Sequence, residues 1–301
     1  MVPPVKPPSF DYVIAHSVEH ALQLLVEGGD DAKVIAGGQS LVPLLNMRMA
    51  RPSLLIDINH IAGLSAIKKI DETIQIGALT RHAKLTTAKT VKNYLPILSE
   101  AAAWIGHSQI RTRGTIGGSL AHADAAAELS VALLALEAHV TVQSPRGGRT
   151  VAVKDLLVSH FVSSILPDEI ITGVTVPIPP AGTGAAFDEF SRRHGDYAIG
   201  GAASIITLDE AGHCVRSRIT VLGGGSTALR CHEAENLLTN SAVRSSDIAA
   251  AADAAVKGLD PVSTVHGSAP YRRQVIRTLV ERTVGLAIER ATPTHESVEA
   301  R

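Results

Sequence analysis

The stretch Gly114-Thr115-Ile116-Gly117-Gly118-Ser119-Leu120, followed by Ala121-His122-Ala123-Asp124, decides how the rest of the chain is read. Two adjacent glycines after a β-branched pair let the backbone approach a ligand closely, and the flanking Thr115 and Ser119 add hydroxyls to the amide N–H groups. That combination suits a pyrophosphate cradle. An echo lies upstream at Ala36-Gly37-Gly38-Gln39-Ser40, on the apolar run Val34-Ile35-Ala36. Two such turns, each between an apolar run and a predicted helix, would grip the two phosphates of one dinucleotide from opposite sides. Glycine also serves plain turns here, at Gly147-Gly148 and Gly223-Gly224-Gly225, so the pair of motifs carries the reading and neither motif alone does. Neither has the G-x-G-x-x-G spacing of the doubly wound nucleotide fold or the G-K-[ST] of a P-loop, which disfavours a classical NAD domain and an ATPase.

Working outward, Ser17 is placed to cap a helix whose buried face is Val18, Ala21, Leu22 and Leu25 and whose end is marked by Gly28-Gly29. A strand at 33–36, a helix from Leu41 with Pro43 near its start, and a strand at 54–58 close a small α/β unit near residue 60. A second unit follows. It has a strand at 73–76, a short helix capped by Thr80, and a longer helix with the stripe Leu95, Leu98, Ala101, Ala102 and Ile105. An Ala-rich helix from about Ala125 and a hairpin of 139–142 with 150–153 around Gly147-Gly148 complete it. A last strand, 169–176, is stopped by Pro177, Pro179 and Pro180, the best domain boundary in the chain. Beyond it, strands at 185–192, 202–208 and 215–222 read as an antiparallel meander, and helices at 234–238, 247–256 and 271–290 follow. The class is α+β, with expected domains 1–60, 61–178 and 179–301 and a frayed polar tail over the last dozen residues.

With 301 residues, 45% of them hydrophobic, the chain can bury two or three subdomain cores. A formal net charge of −1 and no basic cluster argue against nucleic-acid and anionic-membrane partners. The proline-rich start and the lack of a membrane-length apolar run predict a cytoplasmic protein with no membrane span. Cys214 and Cys231 are the only cysteines and cannot supply the four thiolates of an ordinary iron–sulfur cluster. The thirteen histidines form no H-E-x-x-H or H-x-x-E-H pattern, so no metal site is expected; His122 and Asp124 read as loop-positioning residues. Ser40 and Ser119 do not sit in G-x-S-x-G, which removes a hydrolase elbow. Tyr197, in Gly195-Asp196-Tyr197-Ala198, suits lying flat against a planar ligand.

The two glycine motifs, the following Ala121-His122-Ala123-Asp124 and the Gly195-Asp196-Tyr197-Ala198 stretch, in this order over nearly the whole chain, resemble the FAD-binding medium subunit of the molybdenum hydroxylases, the family of carbon monoxide and xanthine dehydrogenases. The resemblance implies an FAD-binding region of two α/β subdomains and a C-terminal domain of a three-stranded antiparallel sheet with a three-helix bundle. It implies noncovalent FAD held at its pyrophosphate by Lys33, Val34, Ile35, Ala36, Gly37, Gly38, Gln39 and Ser40 from one side. From the other side it implies Thr115, Ile116, Gly117, Gly118 and Ser119. Ile105 would take the place of an aromatic FAD contact, Asp124 or Glu128 would bond the adenosine ribose, and Ile171 would touch the cofactor. Tyr197 would lie near the isoalloxazine. Asp188-Glu189 stands where xanthine dehydrogenases have a lysine contact, which argues against a dedicated NAD-reducing enzyme.

The same resemblance places a molybdenum cofactor on a large partner subunit and two [2Fe–2S] clusters on a small one, in a dimer of heterotrimers, with electrons leaving through FAD on this chain. No catalytic acid or base is then needed here. The wording of 7–13, 78–86 and 187–197 is most similar to the nicotine dehydrogenase branch, so an N-heteroaromatic substrate such as nicotine is expected, with carbon monoxide or a purine as alternatives. Readings of another class are a stand-alone vanillyl-alcohol-type flavin oxidase and a flavin-free assembly subunit.

Overall fold

The computed structural model describes residues 6–292, so the predicted frayed tail falls largely outside the described residues. The chain begins with β1 (Asp11–Ile14), α1 (Val18–Gly28), β2 (Ala32–Ile35), α2 (Leu41–Asn46) and β3 (Leu54–Asp57). The three strands form a parallel sheet in the order β1-β3-β2. The Ser17 hydroxyl accepts the His20 amide at 3.1 Å and so opens α1, which lays Ala21, Leu22 and Leu25 into the core of this unit. Strand β1 is an addition to the sequence reading. It is an edge strand with Tyr12 and Ile14 exposed, so it lacks the buried alternation that identifies a strand.

The second unit comprises β4 (Ile67–Ile70), β5 (Thr73–Gly77), α3 (His82–Thr87), α4 (Lys89–Tyr94), α5 (Pro96–Trp104), α6 (Ser108–Arg111), α7 (Ile116–His122) and α8 (Glu128–Ala135). It continues with β6 (His139–Ser144), β7 (Gly147–Ala152), α9 (Val153–Leu156), β8 (Leu157–Ser159), β9 (Val162–Ser163) and β10 (Ile170–Pro177). Its main sheet is antiparallel in the order β4-β5-β10-β6-β7. Three expectations change here. Thr80 does not cap α3: it is fully buried, and Arg81 occupies the cap position. The hairpin turns at Pro145-Arg146, because Ser144 pairs with Gly147 and both glycines already belong to β7. The Ala-rich helix starts at Glu128, and the second glycine motif itself forms α7.

The C-terminal part holds β11 (Thr183–Phe190), β12 (Gly200–Leu208), β13 (Cys214–Leu222) and a two-residue edge strand, β14 (Leu229–Arg230). Helices α10 (His232–Leu238), α11 (Ser245–Ala255) and α12 (Ala269–Ala291) follow. Period-two alternation gives this antiparallel sheet two apolar faces. Ala185, Phe187, Ala203, Ile205 and Leu222 join the same core as Leu98, Leu120, Leu129 and Leu133 of the second unit. Ala186, Ala202, Ile206, Ile219 and Val221 pack against the C-terminal helices. Each Leu or Ile buried there contributes about 1.5–3 kcal/mol. The shared core fixes the loop between β11 and β12 against the end of α5, where His194 meets Trp104 edge-on at 5.4 Å and Gly195 packs on His107.

Candidate functional site

The first glycine motif leaves the C-terminal end of β2 and enters α2, with Gly38 at φ +71° making the turn. Among the described residues, the amides of Gly37, Gly38, Gln39 and Ser40 donate to no protein acceptor. The carbonyls are better served: Gly37 O accepts from Gln39 Nε2 at 3.1 Å and Ala36 O from Asn59 Nδ2 at 2.8 Å. Four consecutive donors without acceptors, at the carboxyl end of a parallel strand, form an anion-binding concavity.

The second motif is built differently. The Thr115 hydroxyl caps α7 by accepting the Gly118 amide at 3.1 Å, and Ile116 N donates to Thr80 O at 3.0 Å. Gly117 N donates to Ala78 O at 2.9 Å and Ser119 N to Thr115 O at 3.0 Å. These amides are already engaged, so the expectation that both motifs offer free backbone donors is corrected. The second motif presents the Ser119 side chain and the exposed face of Gly118. A Cβ on Gly117 would lie 2.7 Å from Ala78 Cβ, which lets α7 seat directly on the end of β5.

A polar network holds the motifs against each other. Arg81 donates one guanidinium N–H to Asn59 Oδ1 at 2.6 Å and another to the Arg113 carbonyl just before the second motif. Asn59 in turn donates to the Ala36 carbonyl of the first motif and to Asp57 Oδ1 at 2.6 Å, and the Tyr12 hydroxyl donates to the other Asp57 oxygen. Burial opposes ionisation of Asp57, but hydrogen bonds from Tyr12 and Asn59 outweigh it and hold the carboxyl below its usual range. At Gly37 a Cβ would collide with the Arg113 carbonyl oxygen and come within 2.9 Å of Gly114 Cα. The two motifs therefore touch backbone to backbone.

Between them and the β11–β12 loop lies one cleft of about 630 Å³, a size that suits a dinucleotide. Lys33, Val34, Ile35, Ala36, Gly37, Gly38, Gln39 and Ser40 line one side, and Thr115, Gly117, Gly118 and Ser119 line another. Ile105, at the end of α5, and Ile171, beside a register shift in β10, add apolar wall; Asp124, Glu128 and Tyr197 complete it. Ile116 is fully buried in the core and does not line the cleft. Tyr197 stands 79% exposed at the mouth. Asp124 Oδ1 accepts the Ala126 amide at 2.9 Å, and His122 stacks on Phe161 with ring centroids 4.7 Å apart, so both order the loop after α7.

Sequence reasoning missed Asn59, Arg81 and His82, whose roles depend on contacts across the chain. His82 is buried in the cleft wall, and burial pushes its pKa down to about 4 against a backbone hydrogen bond at Thr115 that favours the protonated ring. At the other end of the cleft, burial followed by the Asp124 charge raises Glu128 to about 7. Burial, then Glu128 and Asp188, raises Glu189 to about 9, and both of its carboxyl oxygens lack a partner. The cleft thus has a donor-rich end at the glycine motifs and another end lined by Glu128, whose ionisation burial opposes, with Glu189 buried outside the lining. A diphosphate fits the first, and a polar but uncharged ligand segment fits the second. Among the described residues no group of three or more His, Cys, Asp or Glu is placed to hold a metal, and no helix is long and apolar enough to cross a membrane.

Comparison with known proteins agrees with this geometry. Residues 8–179 match the FAD binding domain in molybdopterin dehydrogenase, and residues 185–287 match the CO dehydrogenase flavoprotein C-terminal domain. The chain is 74% identical to the 6-hydroxypseudooxynicotine dehydrogenase complex subunit alpha of Paenarthrobacter nicotinovorans, over 98% of this chain and 100% of the relative. It is 39% identical to the nicotine 6-hydroxylase medium subunit of the same organism, over 93% and 98%. The solved carbon monoxide dehydrogenase of Hydrogenophaga pseudoflava superposes with a TM-score of 0.93 at 36% identity, covering 95% of this chain and 99% of that one. A cleft shaped for a dinucleotide, in a fold matched along almost its whole length, places the chain in one family: it belongs to the FAD-binding medium subunits of the molybdenum hydroxylases.

Proposed function

We propose that this chain holds one FAD noncovalently across the cleft and serves as the electron exit of a heteromeric molybdenum hydroxylase. The observation that carries the reading is the row of four acceptor-free amides at Gly37–Ser40, facing the second glycine motif across a single cleft. FAD supplies the exchange between single electrons from iron–sulfur clusters and the one- or two-electron needs of an external acceptor. The protein's own residues then bind and orient. The free amides and Ser40 take the diphosphate from one side, and Ser119 with the open face of Gly118 takes it from the other. Asp124 and Glu128 lie within the same cleft for the ribose hydroxyls, Ile105 and Ile171 form the apolar wall, and Tyr197 covers the isoalloxazine end. Residues 1–60 and 61–178 act as the two FAD-binding subdomains, and 179–301 as the C-terminal domain.

The partners we assign are a large subunit with the molybdenum cofactor and a small subunit with [2Fe–2S] clusters, assembled as a dimer of heterotrimers in the cytoplasm. Names of the relatives as subunits of complexes support this assignment. For the substrate, 74% identity to a 6-hydroxypseudooxynicotine dehydrogenase subunit, against 39% to a nicotine 6-hydroxylase subunit, favours a nicotine-related N-heteroaromatic compound. It puts 6-hydroxypseudooxynicotine ahead of nicotine itself. Reconstitution tests the reading. The isolated flavoprotein with either compound and a dye acceptor is expected to stay inert, and adding the two partner subunits is expected to start dye reduction. Turnover by the single chain would overturn the division of roles, whereas an active complex that accepts only carbon monoxide or a purine would overturn the substrate assignment.

A further inference from the structure

The segment from Thr80 to His82 is stitched to the second glycine motif. Ile116 N donates to Thr80 O and the His82 amide donates to Gly114 O, each at 3.0 Å, so Arg81 stands opposite Thr115 in an antiparallel bridge. From this anchor the Arg81 side chain reaches back toward the first motif. Its Nη1 donates to the Arg113 carbonyl, and its Nη2 donates to Asn59 Oδ1 at 2.6 Å. Asn59 carries the connection onward, because its Nδ2 donates to Ala36 O at 2.8 Å. Two side chains therefore join Ala36, inside the first motif, to Arg113, at the threshold of the second.

The sense of the Asn59 amide follows from its partners. Asp57 Oδ1 accepts the Asn59 backbone amide at 2.8 Å and Nδ2 at 2.6 Å, so Nδ2 is spent on Asp57 and Ala36 and the amide oxygen is left for Arg81. A guanidinium suits this place, since its planar fork offers two nitrogens to two separate acceptors where a lysine ammonium is a single point charge. The Arg113 carbonyl is also the group on which Gly37 packs, at the first of the four free amides. An unengaged carbonyl oxygen there would repel an anion held by those amides, and its bond to a guanidinium removes that repulsion. Arg81 does this from outside the cleft lining.

We propose that Arg81 is a positioning residue for the diphosphate of the dinucleotide: through Asn59 and the Arg113 carbonyl it sets the span between the two glycine motifs that the diphosphate bridges. The proposal rests on the reading of the cleft as the FAD site. Arg81 acts through its two acceptors and makes no bond to the ligand, so the fork matters and the charge alone does not replace it.

The test uses the full chain freed of flavin and two probes, FAD and ADP, which keeps the diphosphate without the flavin. Arg81→Met is expected to weaken both by about 10-fold, the scale of a lost hydrogen bond to a charged group. Arg81→Lys, which keeps the charge without the fork, should weaken them nearly as much. Asn59→Ala breaks the same connection, so the double variant Arg81→Met/Asn59→Ala should bind no more weakly than the poorer single variant. Arg290→Met is the control for stability alone. It loses bonds to the Ala185 carbonyl at 2.5 Å and to Glu100 at 2.9 Å, outside the cleft lining, and should lower Tm while FAD and ADP bind as in the wild type. Undiminished binding in Arg81→Met or Arg81→Lys, losses that add in full in the double variant, or an equal loss of ADP binding in Arg290→Met would overturn the assignment of Arg81. A wild-type chain that binds no FAD would instead remove the reading of the cleft, and the proposal with it.

Discussion

Gly37→Ala is expected to lower FAD affinity by about 100-fold or more, roughly 3 kcal/mol, in a chain that still folds. The added methyl would strike the Arg113 carbonyl oxygen and crowd Gly114 Cα, so the first motif must back away from the second. Neither neighbour is the end of a flexible side chain, and the Arg113 carbonyl is also held by Arg81. The displacement opens the span between the two motifs that a diphosphate has to bridge. Gly118→Val should also deplete flavin, for another reason. Its Cβ would meet only the Thr115 hydroxyl, at 2.8 Å, and the rest of the side chain would enter the cleft itself. Gly148→Val is the control, because its Cβ would press on the mobile end of Gln143, in a hairpin that does not line the cleft. Flavin content after gel filtration, beside far-UV circular dichroism, reads all three. Equal flavin in Gly37→Ala and Gly148→Val would show that the contact between motifs does not shape the site.

The second large effect is on stability against pH, and its sign follows from which state holds the protons. Glu189 has its pKa raised to about 9 and Glu128 to about 7, from a model-peptide value of 4.5. Between pH 4.5 and those values the unfolded chain has released protons that the folded chain keeps, so these residues make stability fall as pH rises. His82 acts in the opposite sense. With its pKa lowered from 6.5 to about 4, the unfolded chain binds the extra proton over that range and stability rises with pH. Two raised carboxyls outweigh one lowered imidazole, so together these three groups should make the flavin-free chain lose stability steadily as pH rises from about 5 toward 9. Glu189→Gln, which cannot ionise, should flatten the alkaline limb and raise Tm at pH 8 by several degrees, taking about 2–4 °C per kcal/mol for a chain of this size class. Differential scanning fluorimetry from pH 5 to 9 measures it. An unchanged alkaline slope in the variant would mean that Glu189 is ionised in the folded protein.

Much of this architecture is legible from local pattern because the governing interactions are local. Ser17 and the Ala21, Leu22, Leu25 stripe announce α1, and period-two alternation bounded by Gly and Pro announces β11, β12 and β13. Strands β1 and β4 are silent for a physical reason. Both are sheet edges with exposed side chains, paired to a single neighbour, and nothing in their sequence has to be buried. In sequence the second glycine motif reads as a turn, since Gly117-Gly118 has low helix propensity. Distant carbonyls decide otherwise, as Ala78 and Thr80 accept amides from the first turn of α7 and hold it helical.

The cleft follows the same division. The two motifs can be seen as a pair in the sequence, but their unequal chemistry, free amides in one and engaged amides in the other, depends on where β5 ends. Arg81, Asn59 and His82 carry no motif at all. Their importance comes from bonds to residues far along the chain, such as Arg113, Ala36 and Gly114, whose carbonyl accepts the His82 amide.

The most direct measurement of the central claim is a titration of the flavin-free chain with FAD, followed by acid precipitation. The chain is expected to turn yellow and quench flavin fluorescence to an end point of one FAD per chain, and acid should release all of the flavin into the supernatant. A chain that stays colourless and binds no FAD, or one whose flavin remains with the precipitate, would contradict a noncovalent dinucleotide held between the two glycine motifs.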